Sequence, residues 1–505
     1  MAELIKHNLA PLMFMGLVVG LAIGYPAAFS LGAIGLVFAV VGIQFGLMGP
    51  ELLGVLAYNL FGVLSNELLL AIPFFTLMGA ILERSGLAED LLEGFGQLFG
   101  GLRGGLSYAV IIVGAILGAI TGTVAASVIA MALIALPVMM RYGYSVRHAT
   151  GVIAASGTVT QLIPPALVLV VLADQLGKPV GDMYLGAIGP SIIQVALFCV
   201  WVAIVSIIWP NAVPPLPPEA RTLRGWALAR KCIRGMVPSL ALIFVVLGTI
   251  FMGLATPTES GAMGVVGAII LAYANGRFSN KLLIEGMETT MRITAMVVFI
   301  LIGARVFSLV FQGVGGKEWL EGWLTSLPGG QVGFLIFVNL FVFVLAFFLD
   351  FFEIAFIVIP LLAPAAEKLG IDLIWFGVLL GATMQTSFMH PPFGFALFYL
   401  RGVAPKEVKS SDIYWGAVPW VFLQLILVAI VIFFPKSVTY LLEKPKVDPS
   451  KVEIRIEPPS FGVPAGSPFG APPNLPSGIP GLPGQAPSIP GLPSPPPPEN
   501  PGSSK

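Results

Sequence analysis

Long apolar segments alternate with short polar ones along most of this chain. The first two, residues 9–25 and 27–47, each approach or exceed the roughly 20 apolar residues that a helix needs to cross a bilayer. Similar segments continue to residue 434, separated by charged residues, glycine or proline. The pattern predicts an all-α, polytopic membrane protein.

One apolar segment, residues 149–173, is interrupted near its centre by SGTVTQLIPPA, which begins at Ser156. Two adjacent prolines remove two backbone donors and clash with the preceding turn. We therefore expect the helix to stop near Ser156 and to restart at the prolines, because proline is tolerated at the first helical position. The same interruption recurs in residues 375–403, where QTSFMHPPFG begins at Gln385. Backbone groups freed in this way cannot face lipid, so the two breaks predict a protected binding site of the kind found in transporters.

Two other segments predict re-entrant hairpins. Residues 106–140 are apolar but broken by AITGTVAAS, and Arg103 and Arg141 flank the segment. This pattern is expected of two half-length helices that meet at a Gly/Thr tip and return to the side from which they came. Residues 332–369 contain the second predicted tip, FLDFFEI, which begins at Phe348.

The two halves of the chain resemble each other. Pro137 aligns with Pro364, and the same offset aligns the two Pro pairs. If each hairpin counts as no span, each half has five spans, and an odd number inverts the second repeat relative to the first. The sequence is therefore divided into a first inverted repeat, a linker, a second inverted repeat and a tail, at residues 1–209, 210–235, 236–436 and 444–505.

The distribution of Lys and Arg agrees with this topology. The side on which the first hairpin opens carries fifteen of them, and the opposite side carries five before the tail. By the positive-inside rule the first side is cytoplasmic. The linker at residues 210–235 is then cytoplasmic, and both termini face outward.

Composition narrows the remaining possibilities. The chain is 57% hydrophobic and only 10% charged, whereas soluble domains have about 25% charged residues. Its two cysteines, Cys199 and Cys232, are too few for a disulfide framework or a Cys-based metal site, and no HExxH, GxSxG or P-loop motif occurs. We therefore expect neither an enzyme nor a nucleic-acid-binding protein.

Residues 444–505 hold nineteen of the 43 prolines, with PGLP repeats and a PPPP run. This composition predicts a disordered or polyproline tail. The tail is either a solvated extension without chemistry or a segment for partner recognition or for spanning a cell wall.

Four motifs, in order, resemble those of a known family. GAITGTVAAS, SGTVTQLIPPA, GLATPTESGA and HPPFGFALFYLRGV are similar to motifs of the DctM family, the large membrane subunit of TRAP transporters, and the similarity covers residues 10–434. Ala166 replaces a serine of the family pattern, and His390 replaces a threonine. Thr160 and Gln161 lie where the family has a glycine and its variable neighbour.

The resemblance implies a secondary transporter of organic anions that is driven by a sodium gradient and has the elevator-type fold of the ion-transporter superfamily. It implies a bacterial inner-membrane location with periplasmic termini, and Na⁺ as the coupling ion without a further cofactor. It also implies two partners, a small four-span membrane subunit similar to DctQ and a periplasmic substrate-binding protein similar to DctP.

Two alternatives remain open at this point. One is a stand-alone anion carrier or antiporter of the same superfamily, which needs no binding protein. The other, from a different class, is a membrane enzyme or a scaffold that displays the Pro-rich tail. No acid/base pair or metal-ligand cluster in the sequence supports an enzyme.

Hydroxyl and carbonyl oxygens at the hairpin tips and helix breaks suit Na⁺, and helix N-termini there suit a carboxylate. The sodium-binding residues predicted at the first tip and break are Thr121, Gly122, Thr123, Ser156, Gly157 and Thr158. Those predicted at the second tip and break are Asp350, Gln385, Thr386 and Ser387. The predicted substrate-binding residues are Thr158, Pro164, Arg305 and Pro391. The alternative role of each Ser or Thr is helix packing or back-bonding.

Arg305, Asp350 and Glu353 are charges within apolar segments, and such charges are costly in a membrane unless they function. Arg305 binds a substrate carboxylate, neutralises Asp350 or Glu353, or extends to the membrane surface, and the sequence leaves these alternatives open. His390 is either a proton carrier or a hydrogen-bonded structural residue at the second break, and we favour the structural role.

Three kinds of polar segment complete the prediction. Residues 84–103 form a charged connector, and ATPTES is a structural turn in which Thr258 suits the N-cap and Glu259 the first turn of the following helix. Residues 51–67 and 277–290 are interfacial arms. They hold a moving block, made of the hairpins and broken helices, against a static scaffold.

Overall fold

The computed structural model describes residues 2–442, except Gly122, Arg224, Phe348, Pro392 and Phe393. Within this range the backbone forms α-helices joined by turns, 3₁₀ segments and a π-helical segment, and no strand occurs among the described residues. The all-α prediction is therefore confirmed. The predicted Pro-rich tail lies outside the described residues.

Helices fill the described part of the first half. They are α1 Ala2–Ala22, α2 Ala27–Gln44, α3 Val55–Leu64, α4 Ala71–Arg84, α5 Leu87–Phe99, α6 Gly105–Thr121, α7 Val124–Arg141, α8 Val146–Thr158, α9 Leu167–Leu176 and α10 Val180–Ile208. Short 3₁₀ segments precede α3, precede α4 and follow α8, at Pro50–Gly54, Glu67–Leu70 and Val159–Gln161.

The described part of the second half is built in the same way. Its helices are α11 Gly225–Phe251, α12 Pro257–Ala274, α13 Asn280–Gly313, α14 Gly316–Thr325, α15 Gly330–Leu345, α16 Phe351–Glu353, α17 Ile359–Lys368, α18 Leu373–Gln385, α19 Phe395–Val403, α20 Ser410–Phe433 and α21 Lys436–Thr439. A π-helical segment, Ile354–Val358, joins α16 to α17, and a 3₁₀ segment, Thr386–Met389, follows α18.

Six of the described helices are long and apolar enough to cross a membrane, namely α2, α7, α10, α11, α13 and α20. The number rises to eight if each of two bent pairs counts as one span. These pairs are Pro50–Leu64 with Glu67–Arg84, bent by 43°, and Gly316–Thr325 with Gly330–Leu345, bent by 116°. The helix lengths therefore agree with a polytopic membrane protein.

The order of elements is the same around the two predicted hairpins. α6 and α7 flank the first tip and lead into α8, a 3₁₀ segment, α9 and the long helix α10. α15 and the run from α16 to α17 flank the second tip and lead into α18, a 3₁₀ segment, α19 and α20. The two breaks thus interrupt corresponding elements, whereas the inversion of one repeat relative to the other stays a prediction.

The first break lies a few residues later than the sequence predicts. α8 continues through Ser156 to Thr158, and the hydroxyl groups of both residues donate to carbonyl oxygens three residues earlier, at 2.9 Å each. These bonds accommodate both residues within the helix. α9 restarts at Leu167, after the two prolines instead of at them. The first proline is kept out of the helix because a proline disfavours the helical region for the residue before it.

Residues 84–103 were predicted as a charged connector, but most of them form α5. Leu91, Leu92 and Phe95 are buried, and α5 packs on α6 and α11. The spacing of these three residues places them on one helical face, with charged residues on the opposite face. The high charge of the segment suggests a solvent-exposed connector, and the apolar stripe becomes apparent only once α6 and α11 are known to pack on it.

Three other regions differ from the prediction. α11 begins at Gly225, so the linker at residues 210–235 is partly helical. The predicted arm at residues 277–290 and the span that follows it are one helix, α13, because neither Pro nor Gly separates them. An ion pair between Arg292 and Glu288 at 2.7 Å crosses the expected boundary. α14 lies in a region where the sequence predicts no element.

The turn ATPTES is a helix cap, as predicted, but the capping residue is Thr256 instead of Thr258. The Thr256 hydroxyl accepts a hydrogen bond from the backbone N–H of Glu259 at 3.2 Å, and the Glu259 carboxylate accepts one from the Thr256 N–H at 2.8 Å. Pro257 occupies the first helical position, so the cap must precede it. Thr258 donates to the carbonyl oxygen of Glu67 at 2.8 Å and ties α12 to the segment before α4.

Helices α2 and α13 pack closely through glycine. A Cβ atom at Gly303 would overlap the backbone carbonyl group of Ala28, and one at Gly35 would lie 3.2 Å from the backbone of Phe307. The absence of these atoms lets the two helices approach until their backbones are in contact. This is a common mode of helix association in membranes.

We expect Gly303→Ala to destabilise the protein by about 1–3 kcal/mol, because the added methyl group forces α2 and α13 apart. The measurement is the Tm of the purified protein in detergent. Gly32→Ala, also on α2, is the control, because a Cβ atom there would have no other atom within 4 Å. Equal Tm values for the two variants would contradict the prediction.

Candidate functional site

A cavity of about 160 Å³, called the central cavity below, lies where the hairpin tips and the helix breaks meet. Residues from the first tip, the first break, α13, the second tip, the second break and α19 line it, in that order: Thr123, Val124, Ala125, Gln161, Leu167, Val168, Ile293, Met296, Asp350, Phe351, Phe352, Phe388 and Tyr399. The convergence of tips and breaks is the arrangement that the sequence predicts. The volume is below the roughly 300–1,000 Å³ of pockets for drug-sized ligands, so the cavity suits a small metabolite.

Three helices begin at the wall of this cavity. The first residues of α7, α9 and α16 are Val124, Leu167 and Phe351, and all three line it. The N-terminus of a helix carries a partial positive charge and backbone N–H groups without intrahelical partners. At α16 the Asp350 carboxylate already accepts a hydrogen bond from the backbone N–H of Glu353, so it is the uncapped termini of α7 and α9 that favour a bound anion.

Asp350 introduces a negative charge at the same cavity. It immediately precedes α16, and the Glu353 carboxylate accepts a hydrogen bond from its backbone N–H at 3.0 Å. Thr123 holds the corresponding position before α7. The two tips therefore present a hydroxyl group and a carboxylate to one space, and Gln161 and Tyr399 supply the other polar side chains.

The two breaks are joined to each other by a hydrogen bond. The Gln385 side-chain amide donates to the backbone carbonyl of Thr158 at 2.8 Å, across the 227 residues that also separate the two Pro pairs. The Gln424 amide donates to the Thr158 hydroxyl at 3.0 Å. Thr158 is fully buried, and these two hydrogen bonds connect α8 to α18 and to α20.

Several buried oxygen atoms near the breaks have no hydrogen-bond partner within the described part of the protein. They are the hydroxyl oxygens of Thr160 and Ser387 and the amide oxygens of Gln161, Gln385 and Gln424. A buried polar group without a partner costs about 1–3 kcal/mol. Carbonyl and hydroxyl oxygens are hard ligands of the kind that alkali and alkaline-earth cations prefer.

Other predicted sodium ligands are engaged in packing. A Cβ atom at Gly157 would overlap the side chain of Val128, so Gly157 allows α8 to approach α7. The Thr386 hydroxyl donates to the carbonyl oxygen of Thr383 at 2.6 Å. Ser156 and Thr158 form the back-bonds described above. Gly122 and the side chain of Thr121 lie outside the described residues.

The predicted substrate residues are dispersed. Pro164 lines a separate apolar crevice of about 520 Å³ between α6, α10 and α11. Arg305 is exposed and lines a small crevice between α13 and the π-helical segment. Among the described residues it forms no ion pair with Asp350 or Glu353. Pro391 is half-buried and does not line the central cavity.

His390 is buried between two aromatic rings. The centroids of Phe343 and Phe347 lie 4.3 and 4.2 Å from its ring. Neither ring nitrogen has a hydrogen-bond partner among the described residues. The structural role is thus supported by ring packing, and the hydrogen bond expected for it is absent from the described structure.

Of the thirteen described residues that line the cavity, the sequence predicted only Thr123 and Asp350 as site residues. Four of those it missed are Gln161, Ile293, Met296 and Tyr399. Gln161 carried a signal, because an amide in an apolar segment beside a helix break needs a partner. Ile293 and Met296 carried none, because an apolar residue of a membrane helix looks the same whether it faces lipid or a cavity. Tyr399 would have required the distance between α19 and the second tip.

Comparison with known proteins gives consistent results. The model of the family described as "Tripartite ATP-independent periplasmic transporter, DctM component" matches residues 14–437. A C4-dicarboxylate TRAP transporter large permease protein of Pseudomonas aeruginosa is 30% identical over 77% of this chain and 89% of its own length. A sialic acid TRAP transporter large permease protein of Vibrio cholerae is 24% identical over 83% of this chain and 95% of its own length.

A solved structure shares the fold. The YdaH transporter of Alcanivorax borkumensis superimposes with a TM-score of 0.54 and 16% sequence identity, over 76% of this chain and 87% of that chain. At this identity the likeness concerns the architecture alone.

We expect Thr158→Val to destabilise the protein by about 1–3 kcal/mol, because it leaves the buried Gln424 amide without its acceptor. Gln424→Leu should cost about 1 kcal/mol, and the double variant should cost less than the sum of the two changes. The measurement is Tm in detergent for all three variants and the wild type. Strict additivity of the two changes would show that this bond does not join α8 to α20.

Proposed function

This chain belongs to the DctM component family of tripartite ATP-independent periplasmic transporters, and we propose that it is the large permease subunit of a sodium-coupled importer of small organic anions. It is a multi-pass membrane protein of a transporter family. The observation that carries the proposal is the central cavity, where the N-termini of α7 and α9 and the Asp350 carboxylate converge between the hairpin tips, the breaks and α13.

The proposed substrates are small mono- and dicarboxylates, including 2-oxo acids. The N-terminal N–H groups of α7 and α9 would bind a carboxylate, and Thr123, Gln161 and Tyr399 offer donors to its other oxygens. The apolar remainder of the wall, which includes Phe351 and Phe388, would contact the carbon chain. The named substrates of the two relatives, a C4-dicarboxylate and sialic acid, are carboxylates of different size.

The proposed coupling ion is Na⁺, held by oxygen atoms next to the cavity. Ser387 immediately precedes Phe388 in the cavity wall, and its hydroxyl oxygen and the Gln385 amide oxygen are buried without partners in the described structure. The Asp350 carboxylate faces the same space and would repel an anionic substrate. A bound cation removes this repulsion, so each ligand raises the affinity of the other.

The proposed mechanism is of the elevator type, with both termini periplasmic. Hairpins and broken helices, α6 to α9 and α15 to α19, would move as one block past a scaffold that includes α2 and α13. The cavity lies at the proposed boundary, because Ile293 and Met296 of α13 complete its wall. The proposed partners are a small four-span membrane subunit and a periplasmic substrate-binding protein.

The test is uptake of radiolabelled dicarboxylates into proteoliposomes that contain this chain and its proposed small subunit. We expect uptake to require both an inward sodium gradient and the binding protein. Uptake that requires sodium alone would instead support a stand-alone carrier of the same superfamily. Uptake that is the same with and without sodium would contradict the proposed coupling.

Asp350→Asn tests the role of the cavity carboxylate in the same assay. We expect the sodium concentration for half-maximal uptake to rise about tenfold or more, because one charge that attracts the cation is lost. Asp372→Asn is the matched control. Asp372 caps α18 by accepting from the N–H groups of Ile374 and Trp375 at 2.9 and 2.8 Å, and asparagine caps equally well.

Spin labels test the elevator motion. In a variant without native cysteines, one label replaces the exposed Leu133 of α7 and another the exposed Tyr273 of α12. We expect their distance distribution to change when substrate is added in the presence of sodium. Labels at Phe29 of α2 and Tyr273 form the control pair, whose distance should stay constant. A constant distance in both pairs would exclude the proposed motion.

A further inference from the structure

We propose that a basic crevice between α5, α11 and α12 binds the phosphate headgroup of an anionic phospholipid. The crevice has a volume of about 630 Å³ and shares no lining residue with the central cavity. Its lining residues are Asp90, Ala227, Arg230, Lys231, Arg234, Gly235, Ala274, Asn275 and Arg277. The proposal does not depend on the transport function.

The crevice has an excess of positive charge. Two of its four cations have carboxylate partners, since Lys231 pairs with Glu93 and Arg277 lies 3.6 Å from Glu89. Arg230 and Arg234 form no ion pair among the described residues, although both line the crevice. They are four residues apart on α11 and therefore project from the same face. Two guanidinium groups without partners are a suitable site for a phosphate group.

The surface beside these arginines is apolar. Trp226, Ile233 and Val237 are exposed on the adjoining face of α11, where successive residues advance by about 100° around the helix. Ile270 and Tyr273 are exposed on α12, and the next residue, Ala274, lines the crevice. A ligand in the crevice can therefore place its charge against Arg230 and Arg234 and its hydrocarbon chains against these side chains.

This combination favours a lipid over a soluble anion. A soluble phosphate would use the arginines alone, and the exposed apolar border would have no partner in water. An indole ring such as that of Trp226 is typical of the level of lipid headgroups. The Lys and Arg distribution assigns this end of α11 to the cytoplasmic side, where basic pockets between membrane helices bind anionic headgroups.

The test is native mass spectrometry of the full chain in neutral detergent, titrated with phosphatidylglycerol or with phosphatidylcholine. We expect Arg230→Gln/Arg234→Gln to weaken phosphatidylglycerol binding about 25-fold, since each basic residue near an anionic lipid contributes about 1 kcal/mol. Lys281→Gln/Arg292→Gln is the matched control. It removes the same charge from α13, where both cations are exposed and paired with Glu285 and Glu288.

Each outcome decides the proposal. Selective loss of phosphatidylglycerol from the α11 variant, with normal binding by the control variant, supports it. Equal binding by both variants, or equal binding of phosphatidylcholine by the wild type, overturns it. Displacement of the lipid by millimolar inorganic phosphate or glycerophosphoglycerol would assign the crevice to a soluble anion and would also overturn it.

Discussion

Backbone groups that leave a helix inside a membrane must find partners within the protein, and the rest of this structure follows from that constraint. The two breaks are enclosed by the elements that flank them. Gly114 of α6 and Gly157 of α8 lack the Cβ atoms that would keep α6 and α7 away from the first break. The Gln385 amide then satisfies the Thr158 carbonyl, so each break helps to close the other.

The same enclosure creates the central cavity, which is the candidate binding site. A helix that stops and restarts leaves a new N-terminus, and a hairpin tip leaves another, so enclosing tips and breaks together brings several partial positive charges to one place. α7, α9 and α16 all begin at the central cavity for this reason. The buried oxygens of Gln385 and Ser387 belong to the same arrangement, since backbone and side chains beside a break lack regular helix partners. The structural cost of the breaks is thus what supplies the oxygens of the proposed ion site.

Much of this arrangement is readable from local chemistry. Paired prolines, the Gly/Thr and acidic tips and the flanking arginines indicated where the helices are interrupted, because each disfavours a continuous membrane helix. The re-entrant course of the two hairpins stays a prediction. Local chemistry was less reliable at boundaries. The charged segment at residues 84–103 proved to be α5, whose burial depends on α6 and α11. The N-cap is Thr256 and not the predicted Thr258, because Pro257 occupies the first helical position.

The sequence by itself determined the class of fold and the segments that could form a site, because hydrophobic length, proline and buried charge act within a single segment. Only the tertiary structure decided which residues share the site. It joined Thr123, Gln161 and Asp350 with Met296 of α13, and it placed Arg305 and Pro164 in other crevices. The orientation of a side chain depends on which helix packs against it, and that choice is made by contacts between segments far apart in the chain.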